Sequence, residues 1–248
     1  MIYLKSPREI ALMREAGRLV AQAHLVVKQH MQPGITTREI DLAVEDFIRS
    51  KGCIPSFKGY RGFPASTCIC VNEEMVHGIP GARKLQAGDI VKVDIGVIYK
   101  DYHGDSVWTY GVGELSPEKK HLVEATENSL MAGVAQAFPS KYMGDIGHAM
   151  QKVAEDNGYV VQREYGGHGV GRNLHEDPSV PNFGEPGRGI PLRVGMTIAI
   201  EPIVCVKDPS ALTLSDKWTV VSKHNHLSAQ CEHTVAITKD GPQIMTVL

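Results

Sequence analysis

The sequence has no Cys-x-x-Cys pair, no block of like charge, and no uninterrupted stretch of about 18 apolar residues. Each absence excludes something. Its five cysteines, Cys53, Cys68, Cys70, Cys205 and Cys231, are odd in number and lack zinc-ribbon spacing, which argues against both a disulfide framework and a structural thiolate site. A reducing cytosol is the expected setting. With no long apolar run, no membrane-spanning helix is expected, and the opening Met1–Glu9 segment is too polar for a signal peptide. Basic and acidic residues nearly balance, 26 against 28, and no row of cations could neutralise successive phosphates. The expectation is a cytoplasmic protein with neither nucleic acid nor membrane as partner.

What is present is length and a repeated pattern. A chain of 248 residues exceeds the most common domain size of about 100–150, yet α/β units of about 200–250 residues are frequent. Residues 1–248 are therefore expected to form one catalytic domain. Roughly 70–75% of the unfolded surface can be buried at that size, so a bound metal would serve function rather than folding. Apolar spacing predicts a helix from about Pro7 to Met31, opened by Ser6-Pro7-Arg8-Glu9, and a second from about Thr37 to Lys51, stopped by Gly52. Strand-like runs follow at Ser66–Val71, Ile90–Ile98 and Ser106–Val112.

The order then begins again. Helices are predicted at Pro117–Ala137 and Met143–Asn157, and strands at Thr197–Val206, Trp218–Val221 and His233–Thr238. Ile40 and Gly52 align with Ile146 and Gly158, while Leu85, Gly88 and Asp94 align with Leu192, Gly195 and Glu201. The offsets, 158−52 = 106 and 201−94 = 107, are nearly constant. This implies an internal duplication of α-α-β-β-β halves, about 7–113 and 117–240, packed around a pseudo-two-fold as an α/β (α+β) fold.

The duplication aligns acid with acid. Asp94 and Glu201 each stand in an apolar β run, where an ionised carboxylate costs several kcal/mol unless something compensates it. Asp94 alone could be a structural acid paired with Lys92. Asp105 lies in the next strand, however, and Glu232 follows Glu201 in the second half, so four acids can converge with no cation but Lys92 in their strands. Divalent cations are the natural solution. With one imidazole, for which His168 among its glycines is the candidate, the donors make a mainly oxygen site able to hold two ions about 3.5–4 Å apart. His77 and His175 can supply proton transfer and hydrogen bonds near neutrality. The Gly166–Gly171 stretch superficially resembles a phosphate loop, but the sequence after it turns at Pro178 rather than opening a helix.

The segments Lys5-Ser6-Pro7-Arg8-Glu9-Ile10, Val71-Asn72-Glu73, Val76-His77-Gly78-Ile79-Pro80, Asp94-Ile95-Gly96, His103-Gly104-Asp105, Gly167-His168-Gly169-Val170-Gly171, His175-Glu176-Asp177-Pro178, Ile200-Glu201-Pro202 and Cys231-Glu232-His233-Thr234 span nearly the whole chain. Together they resemble the type I, or bacterial-type, methionine aminopeptidases of subfamily A of the M24 peptidases, whose fold is called pita-bread. The resemblance implies two divalent cations, of cobalt, manganese, iron or zinc. Asp94 would bind one, His168 and Glu201 the other, and Asp105 and Glu232 would bridge them. It also implies that a bridging water attacks the first peptide carbonyl, with Glu201 taking its proton, His175 stabilising the intermediate and His77 contacting the scissile amide.

By the same resemblance, Tyr60, Phe63, Cys68 and Trp218 would form the methionine pocket, and Leu174 stands where many relatives carry Phe, which affects pocket size. The implied substrates are nascent polypeptides with a free N-terminal Met and a small second residue. The implied protein is a monomer working near the ribosome. Two alternatives stay open. An aminopeptidase P or prolidase-like enzyme would share the ligands but usually carries an extra amino-terminal domain; a non-catalytic binding protein on the same scaffold would be expected to have lost them.

Overall fold

Ser6 and Glu9 close a reciprocal capping box ahead of Pro7, and α1 (Pro7–His30) begins there. A second box, Thr36 with Glu39, opens α2 (Thr37–Ser50), and Gly52 follows its end at φ 69°. The pattern recurs in α3 (Pro117–Val134), capped by Ser116, and in α4 (Met143–Asp156), followed by Gly158 at φ 80°. The computed structural model describes residues 1–248, with these four helices, a 3-10 turn at Tyr60–Gly62 and fifteen strands. That is more strands than three per half, because several short ones connect the main sheets.

In the first half the strand Ile90–Tyr99 is central. Tyr102–Gly111 pairs along its whole length, while Thr67–Val71 and Ile54–Pro55 share the other edge. The hairpin turns through Lys100 and Asp101, at φ 46° and 68°, the left-handed pair that a two-residue turn matching strand twist requires. Alternation then sorts the side chains. Val91, Val93, Ile95 and Val97 pack with Val20, Val27, Ile40 and Val44 of α1 and α2. Lys92, Asp94 and Gly96 face the other way.

The second half builds a five-stranded sheet in the order Gly241–Ile244, His233–Thr238, Thr197–Ile200, Gly167–Gly169, Glu176–Val180. Ile198, Ile200 and Val235 bury against Leu130, Ile146 and Met150 of α3 and α4. The duplication is visible in matching contacts. Leu85 N–H donates to the Ile35 carbonyl at 2.8 Å and Leu192 N–H to the Lys141 carbonyl at 2.9 Å. Gly88 and Gly195 take φ 87° and 93°.

Three sequence expectations are corrected. The run Thr197–Val206 is not one strand: it breaks at Glu201-Pro202, and Ile203–Cys205 joins a different sheet, because Pro202 has no N–H to continue the ladder. The strand predicted to begin at Ser106 begins at Tyr102, so Asp105 lies well inside it rather than at its start. The segment predicted as Trp218–Val221 forms a strand at Val220–Ser222, leaving Trp218 on the preceding turn.

The helix-to-sheet approach is closest at Gly104, where an added Cβ would lie 2.6 Å from the Gly17 amide nitrogen of α1. Gly104→Ala is expected to destabilise the protein by about 1–3 kcal/mol, read as a lower urea midpoint with unchanged slope. An unshifted midpoint would show that α1 can move away freely.

Candidate active site

The two halves meet where their strands deliver acids. Gly96 is the cross-strand partner of Asp105, and Asp94 pairs with Val107, so the two aspartates are diagonal neighbours on one face of the hairpin. The connection between Ser228–Gln230 and His233–Thr238 is laced onto the same hairpin. Glu232 N–H donates to the Val107 carbonyl at 2.8 Å, Ser106 Oγ donates to the Glu232 carbonyl at 2.6 Å, and Thr234 Oγ1 donates to the Asp105 carbonyl at 2.8 Å. Glu201, at the strand break, accepts a 2.8 Å bond from Gln230 Nε2 on its Oε2.

His168 completes the group. A carbonyl can only accept, so the 2.9 Å contact of Nδ1 with the Gly169 oxygen means that Nδ1 carries the proton. Burial favours the neutral ring, leaving an Nε2 lone pair 3.8 Å from Asp105 Oδ2 and 3.7 Å from Glu201 Oε1. Those separations are too long for hydrogen bonds. Lone pairs are therefore aimed at lone pairs.

No protein cation resolves the conflict. Lys92, the one candidate in these strands, donates instead to the Asn72 carbonyl at 2.7 Å and the Ser228 carbonyl at 3.0 Å. Asp94 Oδ1, Asp105 Oδ1 and Glu232 Oε1 are buried without any hydrogen-bond partner. Desolvation, and then mutual repulsion, pushes the carboxyls of Asp94, Glu201 and Glu232 far up; burial does the same to Asp105. Donor atoms of Asp105, His168 and Glu232 all lie within 4.8 Å of one another. Orphaned oxygens and an unprotonated imidazole nitrogen converging on one point fit divalent cations, with hard oxygen donors in the majority.

Around the acids lies a cavity of about 160 Å³. All eleven residues singled out in the sequence line it: Asp94, Asp105, His168, Glu201 and Glu232, the histidines His77 and His175, and Tyr60, Phe63, Cys68 and Trp218. Phe63 meets Trp218 edge-on at 5.1 Å, and Cys68 is the strand partner of Asp94, so the apolar wall adjoins the acids directly. The His175 ring lies 4.1 Å from that of His168, tilted by 41°, and shares a 2.9 Å hydrogen bond with the Tyr60 hydroxyl; burial, then the neighbouring imidazoles, holds its pKa down at about 3. Burial also lowers that of His77.

Sequence reasoning missed Phe57, Arg61, Val76 and Gln230 as lining residues. Gln230 had a signal, since it stands two positions before Glu232 in an extended run and so shares its face. Phe57 and Arg61 had none, because they lie on the irregular segment around the Tyr60–Gly62 turn. Leu174 is buried with Phe57, Phe63 and Cys68 as part of the apolar wall.

Residues 11–239 match metallopeptidase family M24. The chain belongs to that family. Like the M24 structures it resembles, it has the pita-bread fold and is a metal-dependent peptide hydrolase. It is 51% identical to methionine aminopeptidase 1 of Bacillus subtilis over 99% of both chains. The crystal structure of methionine aminopeptidase from Rickettsia prowazekii superposes with a TM-score of 0.98 at 38% identity, covering 100% of both chains. A prolidase from Pyrococcus horikoshii shares the fold at TM-score 0.78 and 26% identity, but the match spans 98% of this M24 chain and only 63% of the prolidase.

The crowded carboxylates predict a pH-dependent fold when metal is removed. Their folded pKa values stand above the ordinary ones, so their contribution to stability is present in full below about pH 4 and is lost as pH rises through the folded values, about 7 for Asp105 and about 8 for Glu201. The melting temperature of the chelated protein should fall across that window, and added divalent cation should flatten the fall. A melting temperature independent of pH in the chelated protein would mean that the acids are neutralised some other way.

Proposed function

We propose that this M24 enzyme is a methionyl aminopeptidase that removes the N-terminal methionine of newly made polypeptides whose second residue is small. The observation that carries the reading is an apolar slot of Phe57, Tyr60, Phe63, Cys68, Leu174 and Trp218 continuous with the acid cluster. Aromatic rings and sulfur suit a thioether, and an apolar wall leaves a charged side chain unsolvated. The identity of its full-length relatives, 51% and 47% for two named methionine aminopeptidases, points the same way.

Asp94, Asp105, His168, Glu201 and Glu232 would hold two cations. Bound there, cations of the manganese, iron, cobalt or zinc kind supply Lewis acidity and a water that ionises near neutrality. The chain's own groups do the rest. Glu201, whose Oε2 is fixed by Gln230 while Oε1 faces His168 within the acid cluster, is placed as a carboxylate to take the attacking water's proton and so serves as the base. Tyr60 O–H donating to His175 Nδ1 leaves Nε2–H free to donate to the developing oxyanion. His77, held at φ 59° in the cavity wall, contacts the scissile amide.

Residues 1–248 work as one catalytic unit on this reading, because Asp94 and Asp105 come from one half and His168, Glu201 and Glu232 from the other. The enzyme acts as a cytoplasmic monomer near the ribosome, on chains freed of any formyl group. No helix is long and apolar enough to cross a membrane.

The test uses metal-stripped protein restored with one cation at a time. Met-Ala-Ser should be cleaved and an Ala-Pro peptide left intact; the reverse would favour a prolidase-like specificity, and no cleavage of either would favour a binding protein. Glu201→Gln and His168→Ala should each lose roughly a hundred- to ten-thousand-fold in kcat/KM with unchanged far-UV circular dichroism. Retained turnover in either variant would remove its assigned role.

A further inference from the structure

A second cavity of about 300 Å³ opens beside the first and shares Val76, His77, His168, His175 and Glu201 with it. Its remaining wall is polar, with Arg163, Glu164, Tyr165 and Ser179 among the lining residues. If the terminal side chain fills the apolar slot, the rest of the polypeptide must leave through this side. One guanidinium group stands on each of the two adjoining cavities. Arg61 lines the first cavity and lies over the Tyr60 ring at 5.4 Å; Arg163 lines the second and lies over Phe183 at 4.7 Å.

Neither arginine makes an ion pair. Of the acids that follow His175 in the chain, Glu176 is bound by Lys5 at 2.5 Å and Asp177 by the amino terminus, and Glu164, which lines the second cavity, pairs with no cation. Stacking on an aromatic face holds a guanidinium in place while leaving its N–H edge open to a carboxylate. Arg61 is also held in an unusual backbone conformation, φ 48° and ψ 24°, between Gly59 at φ 86° and Gly62 at φ 90°. A glycine would occupy that position without strain, so the arginine is not there for the turn.

We propose that Arg61 and Arg163 form a cationic rim that selects polypeptides carrying acidic side chains shortly after the scissile bond. This rests on the aminopeptidase reading and adds to it the class of downstream sequence preferred. The ligand is a peptide carboxylate, with two positive charges on the rim against the single Glu164 carboxylate.

The holoenzyme is assayed on Met-Ala-Ser-Ser, Met-Ala-Asp-Glu and Met-Ala-Lys-Lys peptides, C-terminally amidated, at low and high salt. The acidic peptide should exceed the basic one in kcat/KM by roughly ten-fold at low ionic strength, and the ratio should shrink towards one at about 0.5 M salt. In Arg61→Gly, which keeps the turn unstrained, and in Arg163→Gln the ratio should fall at low salt; in the Arg61→Glu, Arg163→Glu double variant it should invert. Arg61→Lys should keep part of the preference. Equal rates for the two charged peptides, a ratio insensitive to salt, or an unchanged ratio in the neutral variants would overturn the proposal. Absence of cleavage of Met-Ala-Ser-Ser would instead overturn the aminopeptidase reading itself.

Discussion

Four carboxylates and an unprotonated imidazole nitrogen, brought out of water to one point, are the constraint on which this structure turns. Any such group costs several kcal/mol to bury uncompensated, and here the neighbours repel as well. The protein offers no cation within the cluster: Lys92 is turned to carbonyls, and three carboxylate oxygens lack any partner. The fold must supply the energy that holds these groups together. It does so with two apolar layers, one under α1 and α2 and one under α3 and α4.

Those layers explain the division of labour along each strand. One face of Ile90–Tyr99 is committed to the helices, which leaves the opposite face free to carry an acid into the centre. Ser106 and Thr109 donate across to the Glu232 and Gln230 carbonyls, Thr234 donates back to the Asp105 carbonyl, and together these bonds lock the two halves in register. Donors are thereby presented with little freedom left to lose, which is the condition for binding cations and for orienting a substrate. The apolar slot and the second cavity adjoin at this centre and share Val76, His77, His168, His175 and Glu201.

The repeated pattern was legible because its signals are local. The Ser6–Glu9 cap and the terminating glycines at Gly52 and Gly158 are written within a few residues of where they act, and the 106–107 offset is the spacing at which such local signals recur. Errors arose where a local signal met a tertiary demand. Thr197–Val206 reads as one β run, yet the chain changes sheets at Glu201-Pro202 to deliver the acid. The hairpin turn at Lys100-Asp101 lacks the glycine that usually marks it, so the start of the strand bearing Asp105 was placed too late. Phe57 and Arg61 sit on irregular backbone with no periodicity to read.

By itself the sequence determined which residue types could do chemistry and that they came in two matching sets, since composition and spacing are properties of the chain alone. It also determined helix ends and strand faces, because caps and alternation act between near neighbours. Only the tertiary structure decided which oxygens are left without partners, which nitrogen of His168 is bare, and that Gln230 steadies Glu201. Those facts depend on contacts between residues far apart in the chain, and hydrogen-bond satisfaction and desolvation have no value until the chain has closed around them.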